Sequence, residues 1–157
     1  MTLRRRPRSA ALLRLAYRAA YRGLQAWTFV RRPHVRGTMV AVSDASGAVL
    51  LLRHTYGDRR RWELPGGWVQ RSEDPADAAR REVAEELGID VPIRALGELH
   101  GDWDFKREHL WAYAADWPGG RGTYDPVEIA EVRWFDRREL PEHVGDAARA
   151  VVETLLV

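Results

Sequence analysis

Apolar positions along the chain change period several times, and each change marks an element. Leu13, Tyr17, Ala20, Leu24 and Trp27 recur at spacings of three and four, which predicts an amphipathic helix despite the interior Gly23. Pro33 and Gly37 then punctuate the chain. Residues 38–43 and 48–53 read as strands joined by a turn at 44–47, a predicted hairpin. The run WELPGGWVQ, broken by Pro65, Gly66 and Gly67, predicts a tight loop. Asp74 is suited to cap a helix, Pro75 to open it and Gly88 to end it, so the helix predicted over 75–87 is the best bounded in the chain. Further strands are predicted at 93–99, 109–115 and 128–135, a loop at 118–122 and a last helix over 141–155. Strands interleaved with helices indicate a layered α/β or α+β domain rather than a bundle or an all-β sandwich.

Composition narrows the chemistry. A chain of 157 residues, 45% hydrophobic and 31% charged, suits one compact domain. With no Cys, disulfides, thiolate nucleophiles and sulfur-ligated zinc are excluded, so any metal must sit on oxygen or imidazole. The net charge of +2 conceals an asymmetry: ten Arg and no acid lie within residues 1–36, leaving 15 basic against 23 acidic residues beyond them. The expected organisation is therefore a basic helical extension, 1–36, on an acidic domain, 37–157. Arg14, Arg18 and Arg22 interrupt the apolar run that export or membrane spanning would need, so a cytoplasmic location is expected, with the helix at most peripheral to a membrane.

The central predicted helix has two faces. At about 100° per residue, Ala76, Ala79, Val83 and Leu87 form an apolar stripe, while Glu82, Glu85 and Glu86 fall together on a neighbouring arc. Like charges at i and i+4 destabilise a helix by a few tenths of a kcal/mol unless a cation neutralises them. Carboxylates without sulfur suit a hard ion such as Mg²⁺ or Mn²⁺. The plainer alternative is a solvated acidic face paired with Arg80 and Arg81.

Spacing decides between the two. Five residues separate Gly67 from Glu73, seven more lead to Arg81, and Glu82, Val83, Ala84, Glu85, Glu86, Leu87, Gly88 and Ile89 follow. This pattern resembles the Nudix box at every defining position. The resemblance is strict over the box and looser over 38–155, and it implies an α/β/α sandwich with a mixed sheet. It implies that Glu82, Glu85 and Glu86 are metal ligands, that Gly66 or Gly67 adds a backbone carbonyl, and that Glu73 and Arg81 brace the loop. The segment EIAEVRWF resembles the strand where several members keep a further acidic ligand or base. Glu128 is the choice there, with Glu131 the rival on the opposite strand face. The implied activity is metal-dependent hydrolysis of a phosphoanhydride, in a nucleoside diphosphate linked to another group or in a nucleoside triphosphate, with Glu82 or Glu128 as the base.

Substrate identity is less marked. The positions that distinguish ADP-ribose and dinucleoside polyphosphate enzymes of the family read GDWDF here, at 101–105, and match neither. Arg53, His54, Tyr56, Arg59, Arg60 and Arg61 before the box are candidate substrate contacts, to phosphates or a base, with a solvated loop the plainer alternative. Trp103 and Phe105 are candidates too, although strand aromatics are more often core. Three roles fit the basic helix: packing on the body or on a second copy as a homodimer, resting on an anionic membrane, or binding RNA for an enzyme that trims RNA 5′ ends. A non-catalytic nucleotide-binding module is the remaining alternative, and the full set of box glutamates weighs against it.

Overall fold

The computed structural model describes residues 4–5, 11–103, 106–120 and 122–156. Its elements are β1 (Arg4–Arg5), α1 (Ala11–Arg31), β2 (His34–Ser43), β3 (Val49–His54), β4 (Gly66–Trp68), α2 (Pro75–Leu87), β5 (Arg94–Trp103), β6 (Lys106–Asp116), β7 (Thr123–Tyr124), β8 (Ile129–Phe135) and α3 (Asp146–Glu153). The main sheet runs β5-β6-β2-β3-β8, with β4 on β2, and β1 pairs separately with β7. Its centre is parallel, β2 lying beside β6 from His34↔Arg107 to Ser43↔Asp116, and its flanks are antiparallel.

Alternation in the strands sends side chains to two separate cores. Val40, Val42, Leu50 and Tyr113 meet Ala79, Val83 and Leu87 of α2 on one face. Ala41, Leu51, Leu110 and Ala112 meet Ala147, Ala148, Val151 and Val152 of α3 on the other. Helices on both faces of a mixed sheet make the α/β/α sandwich expected from the sequence. Each fully enclosed aliphatic side chain contributes about 1.5–3 kcal/mol.

Three expectations are corrected. The predicted loop around Pro65 contains a strand: β4 pairs with β2 at Gly37↔Trp68, Thr38↔Gly67 and Met39↔Gly66. The predicted hairpin meets in register only at Ser43↔Val49, because β2 and β3 diverge and the 62–68 segment fills the opening. Leu52 exchanges backbone hydrogen bonds with Glu63, and Val40 N–H donates to Pro65 O. The last helix starts at Asp146 rather than 141, since residues 143–145 are held as a bridge to Trp62: Trp62 N–H donates to His143 O and Gly145 N–H to Trp62 O.

The N-terminal helix is present, and the predicted stripe is turned only partly inward, Tyr17, Ala20 and Leu24 reaching a cavity on the body while Leu13 and Trp27 do not. Arg14, Arg18, Tyr21, Leu24 and Thr28 face the body, whereas Leu13, Tyr17 and Trp27 of that stripe are exposed, along with Leu15, Phe29 and Val30. No helix among the described residues is long and apolar enough to cross a membrane.

Candidate active site

The site is built on α2 and the turn before it. Asp74 Oδ1 accepts the Ala76 N–H at 2.8 Å, Pro75 opens the helix, and Gly88 closes it in the left-handed region at φ 63°. Arg81 then ties helix to loop. Its Nε donates to Glu73 Oε1 at 2.9 Å, its Nη2 to Trp68 O at 3.1 Å and its Nη1 to Glu82 Oε1 at 2.7 Å. Glu73 Oε2 also accepts the Gln70 N–H at 2.8 Å. Arg81, then this backbone donor, hold the Glu73 carboxyl below its ordinary value, and Glu73 makes Arg81 keep its proton more firmly than a free guanidinium.

Beside this brace lies an excess of negative charge. Glu86 is only 6% exposed, the one charged side chain in the buried core among the described residues. Its Oε2 accepts the Gly66 N–H at 3.0 Å. Burial first, and then Glu82, drive the Glu86 carboxyl well above its ordinary value; burial also raises Glu82, although Arg81 opposes this. Glu82, Glu86 and Glu128 line one cavity of ≈ 380 Å³ with Gly66, Gly67 and Lys106. Both glycines are required for space. A Cβ at Gly66 would overlap the Thr38 carbonyl oxygen, and one at Gly67 would stand 2.5 Å from the Glu82 carboxylate. Enclosed oxygen donors of one sign, with no sulfur or imidazole among them, fit a hard divalent cation. Glu85 is exposed beside Arg81 Nη1 at 3.4 Å and does not line the cavity.

The NUDIX domain family model matches residues 33–155, which take in this brace and these carboxylates. The chain belongs to the Nudix family. Among curated relatives, NAD-capped RNA hydrolase NudC of Vibrio atlanticus is 30% identical over 124 residues, 77% of this chain and 45% of that protein. Putative mutator protein MutT4 of Mycobacterium tuberculosis is 36% identical over 110 residues, 66% of this chain and 44% of that one. The chain therefore spans less than half the length of these relatives. The crystal structure of MutT NUDIX hydrolase from Burkholderia pseudomallei superimposes with a TM-score of 0.69 at 25% identity, covering 78% of this chain and 98% of that one.

Helix α1 lies outside the matched Nudix segment, yet it closes one side of the cavity. Tyr17, Ala20, Tyr21 and Leu24 line it together with Glu82 and Glu86. Hydrogen bonds that hold the helix there include Arg14 Nε to Pro126 O at 2.9 Å, Arg18 Nε to Thr55 O at 3.1 Å, and Tyr17 Oη to Glu128 Oε1 at 2.5 Å. The last bond, chiefly, pushes the Tyr17 phenol up to about 12. Sequence reasoning missed Tyr17, Tyr21 and Lys106 as site residues. Lys106 carried a signal, being the only lysine in the chain.

The remaining predicted residues divide by position. Glu128 precedes β8 and lines the cavity, whereas Glu131 is ion-paired with Arg53 and Arg133. Arg53, over the Trp62 ring at 4.7 Å, is thus held away from the carboxylates. His54, Tyr56, Arg61 and Trp103 line an adjoining cavity that reaches Gly66 and Gly67, with Arg61 paired to Glu63. Burial takes the His54 imidazole down to about 4 and leaves it neutral against the Tyr56 ring, 4.8 Å away. Phe105 lies outside the described residues. Trp111 and Tyr113 pack in the α2-side core, as strand aromatics commonly do. A wider concavity, ≈ 720 Å³ between β2, β5 and β6, contains none of the box residues; charge and burial, rather than size, identify the site.

Proposed function

We propose that this Nudix domain hydrolyses a phosphoanhydride bond in a nucleoside diphosphate linked to another group, or in a nucleoside triphosphate, with Mg²⁺ or Mn²⁺. Glu82 and Glu86 and a carbonyl of Gly66 or Gly67 are the residues that would hold the cation, with Glu85 joining them only on leaving Arg81. The observation that carries this reading is the buried Glu86 carboxylate, set beside Glu82 and Glu128 on one cavity with a single backbone donor to offset its charge. A bound cation supplies charge neutralisation at the diphosphate and acidifies a water molecule. Arg81 fixes Glu82 and the loop, Lys106 in the same lining offers positive charge to the phosphates, and the packed rings of Tyr17, Tyr21 and Tyr56 give the nucleoside an aromatic wall to lie against. Glu128, held by Tyr17, takes the proton from the attacking water, with Glu82 as the alternative base.

A second reading, hydrolysis at the 5′ end of an RNA, is favoured by the arginine-bearing α1 against the cleft and by relatives named as NAD-capped RNA hydrolases. In either reading α1 packs on its own body through contacts that include the hydrogen bonds of Arg14, Tyr17 and Arg18. The test is phosphate release from nucleoside triphosphates, nucleotide sugars, ADP-ribose and capped or triphosphorylated RNA with Mg²⁺ or Mn²⁺. Glu86→Gln is expected to lower turnover by about a hundredfold or more with folding intact, since it removes a ligand and not core volume. Wild-type turnover in that variant would overturn the site.

A further inference from the structure

We propose that the cavity formed by Arg18, Arg22 and Arg59 behind Tyr21 and Tyr56 binds a phosphate ester carried on the nucleoside of the substrate, beyond the scissile diphosphate. The inference rests on the hydrolase reading for which part of the substrate occupies the neighbouring cleft. The cavity measures ≈ 240 Å³ and lies between α1 and the segment after β3. Tyr21 and Tyr56 belong to its lining and to that of the carboxylate cavity, so this tyrosine pair, with centroids 5.1 Å apart, is the wall the two share. A base or ribose on the tyrosines leaves a phosphate on its far side within reach of the arginines.

The clustering of charge marks this place. Several arginines elsewhere on the domain face acids, Arg53 and Arg133 meeting Glu131, Arg61 Glu63, Arg80 Asp77 and Arg81 Glu73, whereas here three arginines line one cavity. The arginine cavity has no carboxylate in its lining, and among the described residues Arg18, Arg22 and Arg59 have no acidic partner. Three guanidinium groups around one cavity repel one another until an anion enters, and the planar forks of arginine match phosphate oxygens in pairs. Part of the arrangement is set in advance. Arg18 is anchored through Nε to Thr55 O, which leaves its two terminal nitrogens for a ligand. Gly57, at φ 67°, lets the chain turn beneath α1, where a Cβ would stand 2.9 Å from the Tyr21 ring.

A 2′- or 3′-phosphate on a mononucleotide and the phosphodiester to the next nucleotide of a chain offer the same chemistry. Calorimetric titration of the full chain in Mg²⁺ with AMP, adenosine 2′,5′-bisphosphate, adenosine 3′,5′-bisphosphate and the dinucleotide pApA tells them apart. At least one of the last three is expected to bind about tenfold more tightly than AMP, with an advantage that shrinks as salt rises. Whichever ligand gains identifies the position of the phosphate. The double variant Arg22→Gln, Arg59→Gln, on exposed side chains, is expected to erase that advantage and leave AMP affinity and melting temperature unchanged. Equal binding of all four ligands by the wild type, or a double variant that weakens AMP as much as the others, overturns the proposal. Turnover of the substrate panel is read separately: a protein that keeps the preference but hydrolyses nothing sinks the hydrolase reading alone.

Discussion

Glu86 concentrates the conflict on which the site depends. Its carboxylate is enclosed, near Glu82 and Glu128, and has one backbone donor. Because its folded-state pKa lies above the unfolded value of 4.5, the stability it contributes is fully present below pH 4.5 and is lost as pH rises through the folded value. His54 acts in the other direction. Its neutral form is favoured, with a folded value of about 4 against 6.5, so that contribution is lost as pH falls from 6.5 towards 4. The difference between wild type and Glu86→Gln isolates the glutamate. In EDTA, the wild-type melting temperature is expected to fall relative to the variant as pH rises above 4.5, and Mg²⁺ is expected to close that gap. Two parallel melting-temperature curves, with and without Mg²⁺, would contradict the assignment. Cation and proton compete for the same oxygens, so Mg²⁺ affinity is also expected to weaken as pH falls.

At the scale of elements, the position of the glutamates depends on β4 as much as on α2. Gly66 sits against the Thr38 carbonyl, a backbone atom of the central strand that cannot swing aside as a side chain does. Gly66→Ala is expected to push the loop off β2, lengthen the Gly66 N–H to Glu86 bond and cost about 1–3 kcal/mol, as overpacking does. Turnover should fall with it. Denaturant unfolding read beside activity checks both, and wild-type values in both would show that the strand does not set the site. The helix over 75–87 could be read from the sequence because Asp74, Pro75 and Gly88 act locally, within a turn of the backbone they bound. The Gly-Gly-Trp strand could not, because it has no alternation of its own and forms only where β2 and β3 part. Glu128 and Glu131 were resolved only by partners distant in sequence, Tyr17 for one and Arg53 for the other.

At the scale of the whole molecule, the division between α1 and the domain is a division between binding and stability. Among the described residues neither apolar core draws on α1, while the cavity beside the carboxylates takes Tyr17, Tyr21 and Leu24 from it. Periodicity marked the helix but not its orientation, because the inward face is set by Arg14, Arg18 and Thr28, which no apolar pattern singles out. Deletion of residues 1–32 is therefore expected to leave a folded domain whose melting temperature moves by only a few degrees, since no core area is removed. Its KM for nucleotide substrates should rise by about tenfold, the scale of one lost aromatic contact of about 1.4 kcal/mol. The full-length double variant Tyr17→Ala, Tyr21→Ala removes the same contacts without shortening the chain, so it should reproduce the rise in KM. If the truncated chain fails to fold while the double variant keeps the wild-type KM, α1 is a structural element of the domain. A matching rise in KM in both places the recognition surface of this chain partly outside the segment it shares with its family.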